Sequence, residues 1–169
     1  MNRPLPDEYS AYYQKYVESV GNDVLAELEA QLQSFPAFLG AIPPEKEEWA
    51  YAPGKWTVKE LLRHVIDTER VMAYRFLRTC RKDTTPLPGF DENEYVKNSK
   101  LSTPGLAQQI EEFTVLRKAN LYLFRSVTDE SLLSFKGIAN KQTINARALL
   151  YIIAGHLNHH RRIISERYL

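Results

Sequence analysis

The sequence has little cysteine, almost no net charge and no long apolar run. Its one cysteine, Cys80, cannot form an internal disulfide, so no oxidising compartment is implied. The 22 Lys and Arg residues nearly balance the 21 Asp and Glu residues, and the net charge of +1 gives no support for nucleic-acid binding. The apolar run around 148–155 is far shorter than the roughly 18 residues of a spanning helix, and 1–10 lacks the apolar core of a secretory signal. These absences predict a cytoplasmic protein whose partners are neither nucleic acid nor membrane.

The size and composition of the chain are typical of one globular domain, which we expect to span residues 1–169. It is 44% hydrophobic and 25% charged, too apolar for intrinsic disorder. A domain of this length hides on the order of 70% of the surface that its unfolded chain exposes. The chain is therefore large enough to bury a functional site.

Helical periodicity runs through most of the chain. The clearest helix start is Thr57-x-x-Glu60, a capping box in which a hydroxyl and a carboxylate each satisfy a backbone N–H. It predicts a helix from Val58 to about Arg81. The other predicted helices are a short one at 9–20, one capped by Asn22 or Asp23, one opened by Thr103 and Pro104, and one from near Thr143 to the C-terminus.

The segments between these helices show no clear period. We expect irregular connections at 82–102 and 128–142, the second with room for one helical turn after Thr128. No segment shows the alternation of a dependable strand. Four substantial helices with long connections predict an all-α four-helix bundle.

The four histidines carry the strongest chemical signal, because three of them fall within five residues. On a helix, His156 and His160 project from one face about one turn apart, the spacing at which one helix gives two imidazoles to a metal ion. His159 points about 100° away. His64 lies on a stripe of the capped helix that is apolar near its start. We therefore predict that His64, His156 and His160 hold one divalent ion.

Three neutral nitrogen ligands leave one coordination position open, as in catalytic sites. They suit zinc, nickel or ferrous iron, any of which can activate a water or a substrate thiol as a nucleophile. Leu157 follows His156, so the general base of a zincin helix is missing, and the chain has no glycine-rich phosphate loop or nucleophile elbow. Such a histidine pair is also common without metal. Histidines that are satisfied internally remain the alternative.

Two further side chains of the capped helix are candidates for a catalytic role. Asp67 could orient the His64 ring or a water at the ion, or it could be a surface acid paired with an arginine. Arg75 continues the His64 stripe and could clamp an anionic substrate, or it could belong to a solvated face. Cys80 is expected to be a small core residue rather than a nucleophile.

These residues resemble a known family. The stretch 55–67, KWTVKELLRHVID, and the terminal GHLNHH at 155–160 are similar to the DinB/YfiT-like superfamily, and the likeness extends from about Ala50 to the C-terminus. It implies a four-helix bundle, often a homodimer, in which three histidines hold a divalent metal. The matching positions here are His64, His156 and His160. Similar members also carry an acid where this chain has Asp67.

The resemblance implies several reactions rather than one. The superfamily includes metal-dependent hydrolases, S-transferases that use a low-molecular-weight thiol such as bacillithiol, and thiol-dependent isomerases. Arg161 and Arg162 stand where some relatives have additional histidines. The first hypothesis is therefore a metal-dependent hydrolase or thiol S-transferase that acts on a small molecule. The second is a non-catalytic metal- or ligand-binding bundle of a stress response.

Overall fold

The computed structural model describes residues 2–99 and 104–169. Within them, four long helices form a bundle, which confirms the predicted all-α architecture: α2 Val24–Gly40, α3 Val58–Cys80, α5 Leu106–Arg125 and α7 Ala146–Arg167. Shorter elements lie between them: α1 Gln14–Glu18, α4 Glu92–Ser99, α6 Glu130–Leu133, and the strands β1 Lys136–Ala139 and β2 Gln142–Asn145. None of the helices in these residues is long and apolar enough to cross a membrane.

The apolar stripes of the long helices meet in two core clusters. α3 packs against α7 and α5, and α2 packs against α5 and α7. One cluster contains Phe35 and Phe113, whose ring centroids are 5.2 Å apart. The other contains Phe76 and Phe124, at 4.9 Å. All four rings are fully buried, so each cluster contributes the hydrophobic stabilisation expected of a packed interior.

A polar layer lies between the two clusters. The Glu69 carboxylate on α3 accepts hydrogen bonds of 2.8 and 2.9 Å from Arg117 on α5. Arg117 also donates to Gln31 on α2, at 2.9 Å, and Gln31 donates to Asn158 on α7 at the same distance. The layer links all four long helices, and its mutual hydrogen bonds offset the cost of burying charge.

The helix starts follow the predicted caps in two cases. At α3, the N–H of Glu60 donates to Thr57 Oγ1 at 3.2 Å, and the N–H of Thr57 donates to Glu60 Oε2 at 2.8 Å. At α2 the cap is Asp23, whose Oδ1 accepts from Ala26 at 3.1 Å. Short-range hydrogen-bonding patterns are therefore enough to place these two ends.

Two predicted starts are displaced. α7 begins at Ala146, because Asn145 caps it by accepting from the N–H of Ala148 at 2.8 Å. α5 begins at Leu106 with Gly105 at the cap, so Pro104 precedes the helix rather than opening it. Thr103 lies outside the described residues.

The connections hold more regular structure than expected. Asp91 caps α4 inside 82–102 by accepting from two backbone N–H groups, at 2.9 and 3.0 Å. The helical turn expected after Thr128 is α6. The expectation of no strand is wrong, since β1 pairs antiparallel with β2 across a turn in which Asn140 and Lys141 have φ of 49° and 63°. Each strand has only four residues, too few for an alternating pattern to stand out.

Candidate metal centre

The three histidines selected by spacing lie together where α3 packs against α7. Nε2 of His156 lies 2.9 Å from Nε2 of His64 and 3.0 Å from Nε2 of His160. One ligand atom from each ring lies within 4.8 Å of the others, and all three residues are buried. Two helices that are distant in sequence thus direct three imidazoles at one point.

This convergence fits a metal ion better than it fits hydrogen bonds between the rings. A neutral imidazole has one acceptor nitrogen, whose lone pair directs one good hydrogen bond. Both short contacts fall on Nε2 of His156, so bonding between the rings would place two donors on one lone pair or share one N–H between two acceptors. Three nitrogens bound to a tetrahedral zinc ion stand about 3.3 Å apart, close to these separations.

Burial holds the three imidazoles in the form that binds metal. It lowers the pKa of His64 to about 4, with the nearby His159 as a smaller cause. Burial also lowers the pKa values of His156 and His160 well below the usual 6.5, and the neighbouring histidines lower them further. The rings are therefore neutral at pH 7, and their lone pairs are free to coordinate.

Aromatic rings cover two of these histidines. The Trp56 ring lies against His64, with centroids 4.7 Å apart, and the Tyr16 ring stands edge-on to His156 at 5.6 Å. Tyr16 also packs on His159, at 5.4 Å, which lies outside the cluster as its position on the helix predicts. These rings restrict the positions available to the imidazoles.

A cavity of about 430 Å³ lies beside the three histidines. One wall is a stripe of α3 at helical spacing, which continues from His64 through Thr68 and Met72 to Arg75. The remaining walls come mainly from the N-terminal segment, the residues after α3, the hairpin turn and α7; they include Tyr12, Tyr13, Phe90, Glu92, Asn140 and Gln142. The volume falls in the range of small-molecule sites.

Comparison with known proteins identifies the family. The family model of the DinB superfamily matches residues 27–164. The chain belongs to the DinB superfamily. A relative from Bacillus pumilus, named "Putative metal-dependent hydrolase", is 23% identical over 145 residues, which cover 85% of this chain and 81% of the relative.

The fold of this DinB-superfamily chain is also that of a solved structure. YfiT from Bacillus subtilis, described as a probable metal-dependent hydrolase with an unusual four-helix bundle topology, matches with a TM-score of 0.72. The match covers 98% of this chain and 91% of YfiT, at 19% sequence identity. His64, His156 and His160 all fall inside the region matched by the DinB family model.

The structure does not bring Asp67 to the histidines. Its carboxylate lies 3.6 Å from the guanidinium of Arg63 and 3.4 Å from that of Arg70, and it is not part of the cavity wall. Nδ1 of His64 instead lies 3.5 Å from Oγ1 of Thr68. Asp67 lies on another line of the α3 surface. Its position matches the alternative interpretation, in which it is an acid paired with arginines.

Arg75 does lie in the cavity wall and is only 3% exposed. Cys80 is buried in the core, as expected, and burial raises the pKa of its thiol to about 11. It is therefore protonated at pH 7 and unsuited to nucleophilic attack.

Sequence reasoning missed the cavity residues that lie on connections. Among the described residues that line the cavity, Glu92 is the only carboxylate, and it opens α4 in a segment predicted to be irregular. The hairpin turn is held there by Leu87, which donates to Ile138 O and accepts from the N–H of Asn140, both at 2.9 Å. The capping residue Asp91 could have revealed α4 in the sequence. No local pattern reveals that the residues after α3 meet the hairpin turn.

Proposed function

We propose that this protein is a divalent-metal-dependent hydrolase in which His64, His156 and His160 hold the ion. The observation that carries the proposal is the convergence of three buried Nε2 atoms beside a cavity of small-molecule size. Zinc, nickel and ferrous iron all suit three imidazole ligands. The relative from Bacillus pumilus, named "Putative metal-dependent hydrolase", supports this reaction class. YfiT, which shares the fold, is described as a probable metal-dependent hydrolase.

When bound, the ion supplies Lewis acidity at an open coordination position, where a water becomes a stronger nucleophile near neutral pH. The side chains of the protein supply positioning and proton transfer. Trp56 and Tyr16 pack against His64 and His156 and keep their rings in place. Glu92 is half-buried and is the only carboxylate among the described residues of the cavity wall, so it is our candidate for the group that accepts a proton from the attacking nucleophile.

Thiol S-transfer is the second candidate reaction. Its nucleophile would be a low-molecular-weight thiol in place of water, and its co-substrate an electrophile. Part of the cavity wall consists of the aromatic rings of Tyr12, Tyr13 and Phe90, which favour contact with the apolar part of such an electrophile. Both reactions use the same three ligands, so an assay must separate them.

The decisive assay compares metal-depleted protein with protein reloaded with zinc, nickel or ferrous iron. Hydrolysis is followed with p-nitrophenyl esters, and transfer with cysteine and 1-chloro-2,4-dinitrobenzene. We expect hydrolysis that depends on one of the metals and falls more than about 100-fold in His64→Ala. His159→Ala is the matched control, because His159 shares α7 with two ligands but lies outside the cluster.

The assay also distinguishes the alternatives. Thiol consumption without hydrolysis would favour the transferase. If neither reaction occurs with any metal, the hydrolase proposal is wrong and a non-catalytic metal-binding bundle becomes the better description.

A further inference from the structure

Arg75 is a buried cation without a buried anion beside it. Its guanidinium donates to Pro88 O at 2.7 Å and to Met72 Sδ at 3.6 Å, and it also interacts with the hydroxyl of Tyr13. All three partners are uncharged. Among the described residues, no carboxylate lies within ion-pairing distance of it, whereas Arg117, which is also buried, is paired with Glu69.

A guanidinium cannot lose its charge by deprotonation, so burial leaves it in need of an anion. Water or an anionic ligand in the cavity can reach it, because Arg75 forms part of the wall. Its five N–H donors outnumber these three uncharged partners. The arrangement leaves hydrogen-bonding capacity for a ligand.

We propose that the cavity binds a small organic monoanion, a carboxylate, whose charged end is held by Arg75. The inference rests on the proposed function for the other end of this molecule, which lies at the histidines and reacts there. Arg75 follows His64 by eleven residues, about 16 Å along the helix axis. Because the guanidinium turns back toward Met72, the reacting group and the carboxylate are on the order of 10 Å apart.

The chemistry of the cavity favours a carboxylate over a phosphate. The planar fork of a guanidinium matches the two oxygens of a carboxylate. Arg75 is the only cationic Lys or Arg side chain among the described lining residues, and Glu92 adds a negative charge to the same wall, so a dianion would be poorly neutralised. Phe90, whose ring centroid lies 5.9 Å from the guanidinium carbon, offers an apolar surface for the stem of the ligand.

Calorimetric titration with ω-phenylalkanoates, from benzoate to 6-phenylhexanoate, tests this inference. Each acid is compared with its neutral amide and with inorganic phosphate. We expect at least one carboxylate to bind at least about tenfold more tightly than its amide, as a charge-assisted hydrogen-bonded pair requires. The inference is overturned if no acid binds up to 10 mM, if acids and amides bind alike, or if phosphate binds more tightly than every acid.

Variants of two arginines on α3 test where in the cavity the carboxylate binds. Arg75→Met should abolish the preference for acid over amide, and Arg75→Lys should keep part of it because it keeps the charge. Arg78→Met is the matched control: it is the same substitution on α3, but Arg78 pairs with Asp83 and does not line the cavity. If Arg75→Met does not fold, Arg75→Lys and the comparison of acid with amide in the wild type decide the question.

His156→Ala separates this inference from the proposed function. A preference that survives in His156→Ala and is lost in Arg75→Met supports the Arg75 site, even if the protein proves to bind no metal. A preference lost in His156→Ala but kept in Arg75→Met would assign the anion to the metal centre. That result would overturn the inference and leave the metal site intact.

Discussion

At position 155, a hydrogen atom occupies the place where any other residue would carry a Cβ. A Cβ built on Gly155 would lie 2.0 Å from the backbone oxygen of Tyr16, well inside van der Waals contact. α1 therefore crosses α7 directly at the residue before His156. The close approach brings the Tyr16 ring against that histidine.

We predict that Gly155→Ala destabilises the protein, because backbone rather than a flexible side chain must move. The expected loss in the free energy of unfolding is about 1–3 kcal/mol, as for other overpacked sites, and chemical denaturation measures it. The control is Gly40→Ala, at the last residue of α2, where a new Cβ meets nothing within 4 Å. Equal free energies of unfolding for the two variants would contradict this prediction, because they would show that the backbone at Tyr16 moves aside at little cost.

The three clustered histidines were predictable at the residue scale because their signal in the sequence is either local or rare. His156 and His160 are one helical turn apart, and His64 is the only histidine elsewhere in the chain. Asp67 shows the limit of this reasoning. A separation of three residues from His64 was compatible with contact, but the carboxylate of Asp67 lies beside the guanidinium groups of Arg63 and Arg70 instead.

At the scale of elements, α3 and α5 are joined by an ion-pair cluster. Glu112 on α5 accepts 2.9 Å and 2.6 Å hydrogen bonds from Arg63 and Arg70 on α3. The hydrogen bond from Arg63 is the largest cause that lowers the pKa of Glu112 to about 2. Its carboxylate is thus more acidic in the folded chain than in the unfolded chain.

The stabilisation from Glu112 should be complete above its ordinary pKa of about 4.5 and disappear as the pH falls toward 2. Glu112→Gln should therefore lower the free energy of unfolding by about 1–2 kcal/mol at pH 7, allowing for partial solvent exposure. The difference from wild type should shrink below pH 4.5. Urea denaturation at pH values from 7 to 3 measures both the loss at pH 7 and its decrease at lower pH.

The control for this prediction is Glu94→Gln, which removes an exposed ion pair with Lys97 within α4. We expect an effect below about 0.5 kcal/mol there. A loss in Glu112→Gln that stays constant from pH 7 to 3 would contradict the role assigned to its ionised carboxylate.

The long helices were more predictable than the elements between them. Thr57 and Glu60 determine the start of α3 through contacts three residues apart. The hairpin turn instead places Lys141 at a positive φ, where sequence patterns favour glycine. Its position also depends on Leu87, about fifty residues earlier, so no local pattern could predict it.

At the scale of the molecule, the candidate site combines parts with different origins. The bundle brings three histidines from two helices to one point, and helical periodicity is enough to predict that bundle. The cavity beside them is completed by the N-terminal tyrosines, the residues after α3 and the hairpin turn. The cluster of three histidines was therefore predictable from sequence, whereas the walls of the cavity beside it required the tertiary structure.

Metal content is the most direct test of the central claim, that three buried imidazoles hold one divalent ion. Protein purified without a histidine tag is examined by elemental analysis, together with His64→Ala, His156→Ala and His159→Ala. We expect about one ion per chain in the wild type and in His159→Ala, and loss of most of it in the other two variants. A substoichiometric content that is unchanged in His156→Ala would contradict the claim and favour histidines satisfied without metal.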